Sequence, residues 1–271
     1  MVAPSSAVTL RPDLGQAYQE LDLQAQLSGY VGLEVMPIIE SPVHAGEFVK
    51  FSKEEILQRV QLSDLERGIG GSYARDDFEY GQDTFTTKDY GKEEPLDERH
   101  AAILTRYGAM PEQLCADRAA ATVLRALERT IADTVQDATT YAAVTTAVTN
   151  EWDDAANATP VVDVAAAQGR FETRNGFSPN LLVLNQFQAR NVLICSEAQN
   201  MLGRPFQGLD AERFPKNLAE ATLEAIFGIE RVVIAGRRAG TGIRQTTAQG
   251  AATPAYSRIW SNEFVSLLHV S

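Results

Sequence analysis

Apolar positions recur at helical spacing across residues 111–138, PEQLCADRAAATVLRALERTIADTVQDA, placing Leu114, Ala121, Leu124, Ile131 and Val135 on one face without an internal Gly or Pro. The pattern predicts one long helix of ~40 Å at 1.5 Å per residue. Pro111 falls at its first position and Glu112 in its first turn, both favourable at a helix start. Upstream, QAYQELDLQAQLSGY (16–30) has a short amphipathic helical pattern ended by Gly29. The next stretch, VGLEVMPIIESPV (31–43), is apolar and broken by Pro37 and Pro42, which predicts an edge strand or an extended arm, more tether than core.

Downstream the texture is α/β. VDVAAAQGRFETRNG predicts a helix, LLVL a buried strand, QFQARNVLICSEAQNML a helix, NLAEATLEAIFG a helix closed by Gly228, and RVVIA a second buried strand. GRRAGTGIRQTTAQGAATPAYS is dominated by Gly, Ala and Thr and predicts a mobile loop. The alternating run SRIWSNEFVSLLHV predicts one or two closing strands, and no repeat period appears.

Between the arm and the long helix lies a charged excursion, residues 45–105. It holds two runs of strand character, EFVKF and DTFTTKDY, separated by a polar stretch that pivots on Gly68, Gly70 and Gly71. A structureless loop of that length is uncommon inside a compact domain, so the segment predicts a projecting two-stranded arm used for contact.

Composition changes the picture in two ways. The formal charge is −12, and residues 1–100 hold 19 Asp/Glu against 9 Lys/Arg, so the acidity belongs to the N-terminus and the arm. That balance argues against wrapping nucleic acid, whose phosphates are bound by Lys and Arg, yet suits a container whose wall repels its contents. The two cysteines, Cys115 and Cys195, lack metal-ligand spacing and read as reduced core thiols. The N-terminus lacks the basic and apolar regions of a signal peptide, and no apolar run approaches the ~20 residues that cross a bilayer. These absences predict assembly in the cytoplasm.

Catalytic chemistry is not visible. His44, His100 and His269 are far apart, and none sits in a metal-binding pattern. RGIGGS follows no strand, and GRRAGTGIRQ lacks the ending of a phosphate loop. The acidic pairs Asp76 with Asp77, Glu93 with Glu94 and Asp153 with Asp154 read as solvated faces. The pair Arg237 and Arg238 reads as an exposed turn, although it has the chemistry to touch a phosphate. The aromatic series Phe78, Tyr80, Phe85 and Tyr90 fits strand faces packing on a neighbouring subunit better than a base-stacking groove, because its surroundings are acidic.

Four segments together carry a resemblance: VGLEVMPIIESPVHAGEFVKFSKEE, TFTTKDYGKEEPLDERHAA, PEQLCADRAAATVLRALERTIADTV, and NLAEATLEAIFGIERVVIAGRRAG followed by RIWSNEFVSLL. In order and residue type they resemble the major capsid proteins of tailed bacteriophages, the Hong Kong 97 fold family. The likeness implies an α+β fold with an N-terminal arm (1–44), an extended two-stranded loop (45–105), a peripheral domain with a spine helix (106–184) and a compact α/β axial domain (185–271). It implies a structural protein rather than an enzyme, without cofactor or metal, located in the virion. Hexamers and pentamers would form an icosahedral shell enclosing double-stranded DNA without sequence-specific binding or a membrane, alongside portal, scaffolding and cement proteins. Arg67, Gly68, Gly70, Gly71, Phe78, Tyr80, Phe85 and Tyr90 would make the loop's inter-subunit contact.

Two departures qualify the likeness. Many relatives continue past the last strand, whereas this sequence stops at Ser271. Some crosslink covalently through a loop Lys, yet here Lys50, Lys53, Lys88 and Lys92 lie near the hairpin base and positions 54–87 hold none, which predicts non-covalent assembly. An encapsulin-type nanocompartment shell is the alternative with the same fold. An oligomeric α/β enzyme whose arm serves dimerisation is the alternative from another class.

Overall fold

The apolar stretch after Tyr30 turns into a short helix, α1 (Gly32–Val35), where an extended arm was expected. The computed structural model describes residues 30–52, 62–73, 75, 79–106, 110–202, 216–236, 238–240 and 256–270. The helix expected over 16–30 falls outside them apart from Tyr30, as does most of the loop expected over 236–257. After α1 come β1 (Ala45–Lys50), a 3-10 turn (Leu62–Leu65), β2 (Gly81–Thr86) and α2 (Glu98–Arg106). Helix α2 begins inside the segment 45–105, expected as a two-stranded arm. Asp97 starts it, its side chain accepting from the Arg99 amide at 2.8 Å and its carbonyl from the Ala101 amide at 2.9 Å, as an N-capping aspartate does.

The long helix α3 (Pro111–Val135) forms with Pro111 in its first turn. There follow α4 (Pro160–Asn175), β3 (Leu181–Asn185), α5 (Gln186–Ile194), α6 (Ser196–Leu202), α7 (Lys216–Phe227), β4 (Arg231–Ala235), β5 (Arg238–Gly240), β6 (Tyr256–Arg258) and β7 (Ser266–Leu268). The stretch 186–202, expected as one helix, is two. Cys195 takes an extended conformation (φ −64°, ψ 148°) and ends α5 before α6 begins.

The chain divides into two compact units: Met1–Ile38 with Tyr90–Gln168 and Pro179–Ser271, and Ile39–Asp89 with Gly169–Ser178. The first is built on a three-stranded sheet in the order β4-β3-β7. β3 pairs in parallel with β4, Leu181 opposite Arg231, and antiparallel with β7, Leu181 opposite Leu268. A parallel pair needs a crossover, here supplied by α5 to α7. The pleat sends alternate side chains to opposite faces. Leu182, Leu184, Val232 and Ile234 pack with Val192, Leu193, Leu223, Ile226 and Phe227. Leu181, Val183, Val233 and Ala235 pack with Val31, Val35, Ile131, Ala132 and Trp260. Because both faces are covered, LLVL and RVVIA are apolar without alternation.

Val31, 0% exposed, and Val35 belong to that second cluster, so the start of the described chain is core and not a tether. Burial of a side chain of this kind contributes ~1.5–3 kcal/mol. A buried carboxylate fixes the segment further. Glu128 of α3 accepts from the Val31 amide (Oε1, 3.0 Å), the Gly32 amide (Oε2, 2.7 Å) and the Trp260 indole (Oε1, 2.6 Å). Three donors from two remote segments thus converge on one side chain. Glycine fits position 32 closely, since a Cβ there would stand 2.5 Å from Oε2 of Glu128 and force it or the backbone to shift.

Amides hold the chain at the end of β3. Asn185 caps α5, accepting from the Phe187 and Gln188 amides at 2.9 Å each, and donates to the Ser261 carbonyl and Asn262 Oδ1 at 2.8 Å each. Gln188 donates to the Asn262 and Phe264 carbonyls, both at 2.9 Å, while Gln136, the C-cap of α3, accepts from the Ser261 amide at 2.9 Å. These contacts satisfy buried polar groups that would each cost ~1–3 kcal/mol unpaired.

Candidate functional site

The second unit contains the expected hairpin. β1 and β2 pair antiparallel from Ala45 opposite Thr86 to Lys50 opposite Gly81. Directly opposed residues share a face, so Gly46 with Phe85, Phe48 with Asp83 and Lys50 with Gly81 form one side. Phe85 lies across Gly46, where a Cβ would meet its ring at 2.9 Å. Lys50 Nζ approaches Asp83 Oδ2 at 3.8 Å. At the base, the Thr87 amide donates to the His44 carbonyl at 2.8 Å, and His44 Nδ1 lies 3.3 Å from Thr87 Oγ1. β2 ends at Thr86, so the DTFTTKDY run is strand only in its first half.

Burial decides what this hairpin can do. Within the two strands only Gly46 and Phe85 are even partly covered. Phe48 is 46% exposed and Phe51 50% exposed, and Val49, Leu62, Leu65, Ile69 and Tyr73 also face solvent. An isolated two-stranded hairpin is marginal in water, because it has no face packed on a core. Both strands are also edges, with backbone groups open to further pairing. The arrangement is chemically suited to contact.

The expected contact residues that are described fall in a turn, in and just before β2, and after it. Arg67, Gly68, Gly70 and Gly71 share a tight turn, in which the Gly71 amide donates to the Gly68 carbonyl at 3.0 Å and Gly70 adopts φ +84°. The Arg67 guanidinium sits 4.8 Å over the Tyr73 ring. Tyr80 is exposed immediately before β2 and Phe85 lies within it. Tyr90 is 80% exposed but belongs to the first unit. Phe78 lies outside the described residues. The sequence reading passed over Phe48, Val49 and Phe51. The signal was present in FVKF, which puts apolar side chains on both faces of a strand.

Several of the other candidates are held by neighbours in the fold. Glu94 bonds Lys92 at 3.0 Å and Arg118 at 3.3 Å. Asp154 accepts from Asn157 Nδ2 at 2.7 Å and from the Ala156 amide at 3.1 Å, and these bonds hold its carboxyl below the ordinary value. Asp137 is likewise lowered, by the Thr140 hydroxyl and then the Thr139 amide. Arg238 lies in β5, paired with β6; Arg237, Asp76 and Asp77 lie outside the described residues. Among the described residues no group of three His, Cys, Asp or Glu is placed to hold a metal, and no helix is long and apolar enough to cross a membrane.

The first unit carries a groove of about 490 Å³ between α2 and α3. Leu96, His100, Ile103, Leu104, Leu114 and Cys115 line it, with Lys92, Glu94 and Arg118. Cys115 is therefore half-buried in a groove and is not the core thiol expected, whereas Cys195 is fully buried and its thiol is raised by that burial.

No protein-family model matches the chain, and no curated protein does. Among solved structures it is similar to a phage-related protein of Bordetella bronchiseptica RB50, with a TM-score of 0.60, 18% sequence identity, and coverage of 97% of this chain and 78% of that one. At that identity the likeness is one of fold: a mixed α+β chain, helices with small sheets, in the arrangement of a phage-related protein.

Proposed function

We propose that the protein is a major capsid protein of a tailed phage, self-assembling through hexamers and pentamers into an icosahedral shell around double-stranded DNA. In this reading the fold is of the Hong Kong 97 type, with β1 and β2 as the extended loop, α3 as the spine helix, and the β3–β4 sheet with its helices as the axial domain. The role is structural and not enzymatic. The observation that carries the proposal is the β1–β2 hairpin, which leaves Phe48, Val49 and Phe51 about half exposed to solvent. The fold shared with a phage-related protein supports the same direction.

Energetics favour contact between copies. Each of these half-exposed side chains, once fully buried on a neighbour, would contribute about half of the ~1.5–3 kcal/mol of full burial. In a closed shell every subunit gives and receives the same arm, so modest pairwise gains accumulate through multivalency. The net charge of −12 leaves enclosed DNA unbound by the wall, in keeping with packaging that is independent of sequence.

Size-exclusion chromatography with negative-stain microscopy tests the proposal. Closed, uniform particles are expected; a discrete monomer or dimer that never forms particles refutes it. Denaturing gels of those particles should show one monomer-sized band, since residues 54–87 contain no lysine; a covalent ladder would overturn the non-covalent part.

A further inference from the structure

We propose that Glu220 and Glu224 of α7 seal the outer edge of the first unit's sheet, holding β4 closed to strand addition by a second copy of this chain. Among the described residues β4 is terminal in the order β4-β3-β7. Its inner side is taken up by the ladder with β3, which runs from Leu181 opposite Arg231 to Asn185 opposite Ala235, the Arg231 amide donating to the Asn180 carbonyl at 3.0 Å. Backbone groups of successive residues in a strand point to opposite edges, so the amides of Val232 and Ile234 are turned away from β3. Those are the donors that a fourth strand would take. RVVIA is an apolar, β-branched run without proline, the kind of segment that pairs with its like when an edge is left open. The opposite edge, β7, is only three residues long, which by itself discourages pairing.

Two carboxylates occupy the donors instead. The Val232 amide donates to Glu224 Oε1 at 3.2 Å and the Ile234 amide to Glu220 Oε1 at 3.1 Å. The spacings match. Residues four apart on a helix are separated by ~6 Å along its axis, and residues two apart on a strand by ~6.6 Å. Because α7 meets β4 with Glu220 at the later amide and Glu224 at the earlier one, the helix runs against the strand. Ala219, Leu223, Ile226 and Phe227 hold that register by packing in one cluster with Val232 and Ile234, which leaves the two glutamates on the flank of the buried stripe. Val232 and Ile234 are 2% and 5% exposed, so an incoming strand would have to displace both carboxylates to reach their amides.

Thioflavin T, which reports stacked β-strands, reads the edge on the full-length subunit without reference to shell formation. Glu220→Ala with Glu224→Ala removes both acceptors. Hydrogen exchange at the Val232 and Ile234 amides should then speed about tenfold, and a concentration-dependent thioflavin signal should grow where the wild type gives none. Glu220→Gln with Glu224→Gln keeps an acceptor oxygen at each position and should stay silent. Leu223→Ala weakens the packing of the same helix while keeping both carboxylates, and should also stay silent at matched urea stability. If the double alanine variant does not fold, Glu220→Ala alone takes its place, with a smaller signal expected from the Ile234 amide. A signal that remains at the wild-type level in both E220A/E224A and E220A overturns the proposal. An equal signal from L223A also overturns it, assigning the effect to lost stability, and an equal signal from the glutamine pair assigns it to lost charge.

Discussion

Replacing Glu128 by glutamine keeps the shape of a buried side chain and removes its charge. The carboxylate takes three N–H donors, two on Oε1 and one on Oε2. Glutamine retains one oxygen. Placed at Oε1 it keeps the Val31 and Trp260 donors and turns its own NH2 against the Gly32 amide; flipped, it loses two bonds instead of one. Hydrogen bonds to a charged group contribute ~1.5–3 kcal/mol and an orphaned buried donor costs ~1–3 kcal/mol, so E128Q should lose ~2–4 kcal/mol. That is a large share of the ~5–15 kcal/mol by which a domain is stable. The assay is twofold: the urea midpoint of the unassembled subunit, and hydrogen exchange at the Val31 and Gly32 amides. If α1 detaches locally, exchange at those amides should accelerate ~30-fold for each ~2 kcal/mol lost. A loss below ~0.5 kcal/mol with unchanged exchange at both amides would refute the role assigned to the carboxylate.

Three further outcomes follow from the geometry. Gly32→Ala sets a methyl group 2.5 Å from Glu128 Oε2 and 2.9 Å from Ile131 Cδ1, and should destabilise the subunit by ~1–3 kcal/mol in the same denaturation assay. Phe48→Ser combined with Phe51→Ser removes side chains that are about half exposed, so the subunit's melting temperature should hold while particle yield by sedimentation collapses; intact particles at normal yield would contradict the contact role. Asp137 and Asp154 have lowered folded pKa values, so their turns are stabilised above the ordinary aspartate range, and that contribution is lost as pH falls through the lowered values, below about pH 4. Carboxyl NMR titration should find both below other exposed aspartates, and Thr140→Ala should return Asp137 upward.

The hairpin was legible as an excursion because two β-rich runs flank a glycine-bearing polar stretch, a signal local enough to survive without tertiary information. Its contact residues were less so. The aromatic series reads as one stripe in sequence, yet Phe85 alone of the described members lies within a strand, and Tyr90 belongs to the other unit. Strand boundaries depend on the register between β1 and β2, which is set by pairing across more than thirty residues and not by either run alone.

By itself the sequence determined the elements whose signal is periodic or capped within a few residues: α3 from its apolar face and Pro111, β3 and β4 from unbroken apolar runs, and α7 from its closing Gly228. Such patterns report how a segment partitions between solvent and core, which is local information. Only the tertiary structure decided that VGLEV packs as core, because the partners that bury Val31 and receive its amide are Ile131 and Glu128, about a hundred residues away. A lone glutamate in an amphipathic helix looks solvated until three donors from two distant segments arrive at it. Position in a helix fixes where a side chain points; what waits there is fixed by the rest of the chain.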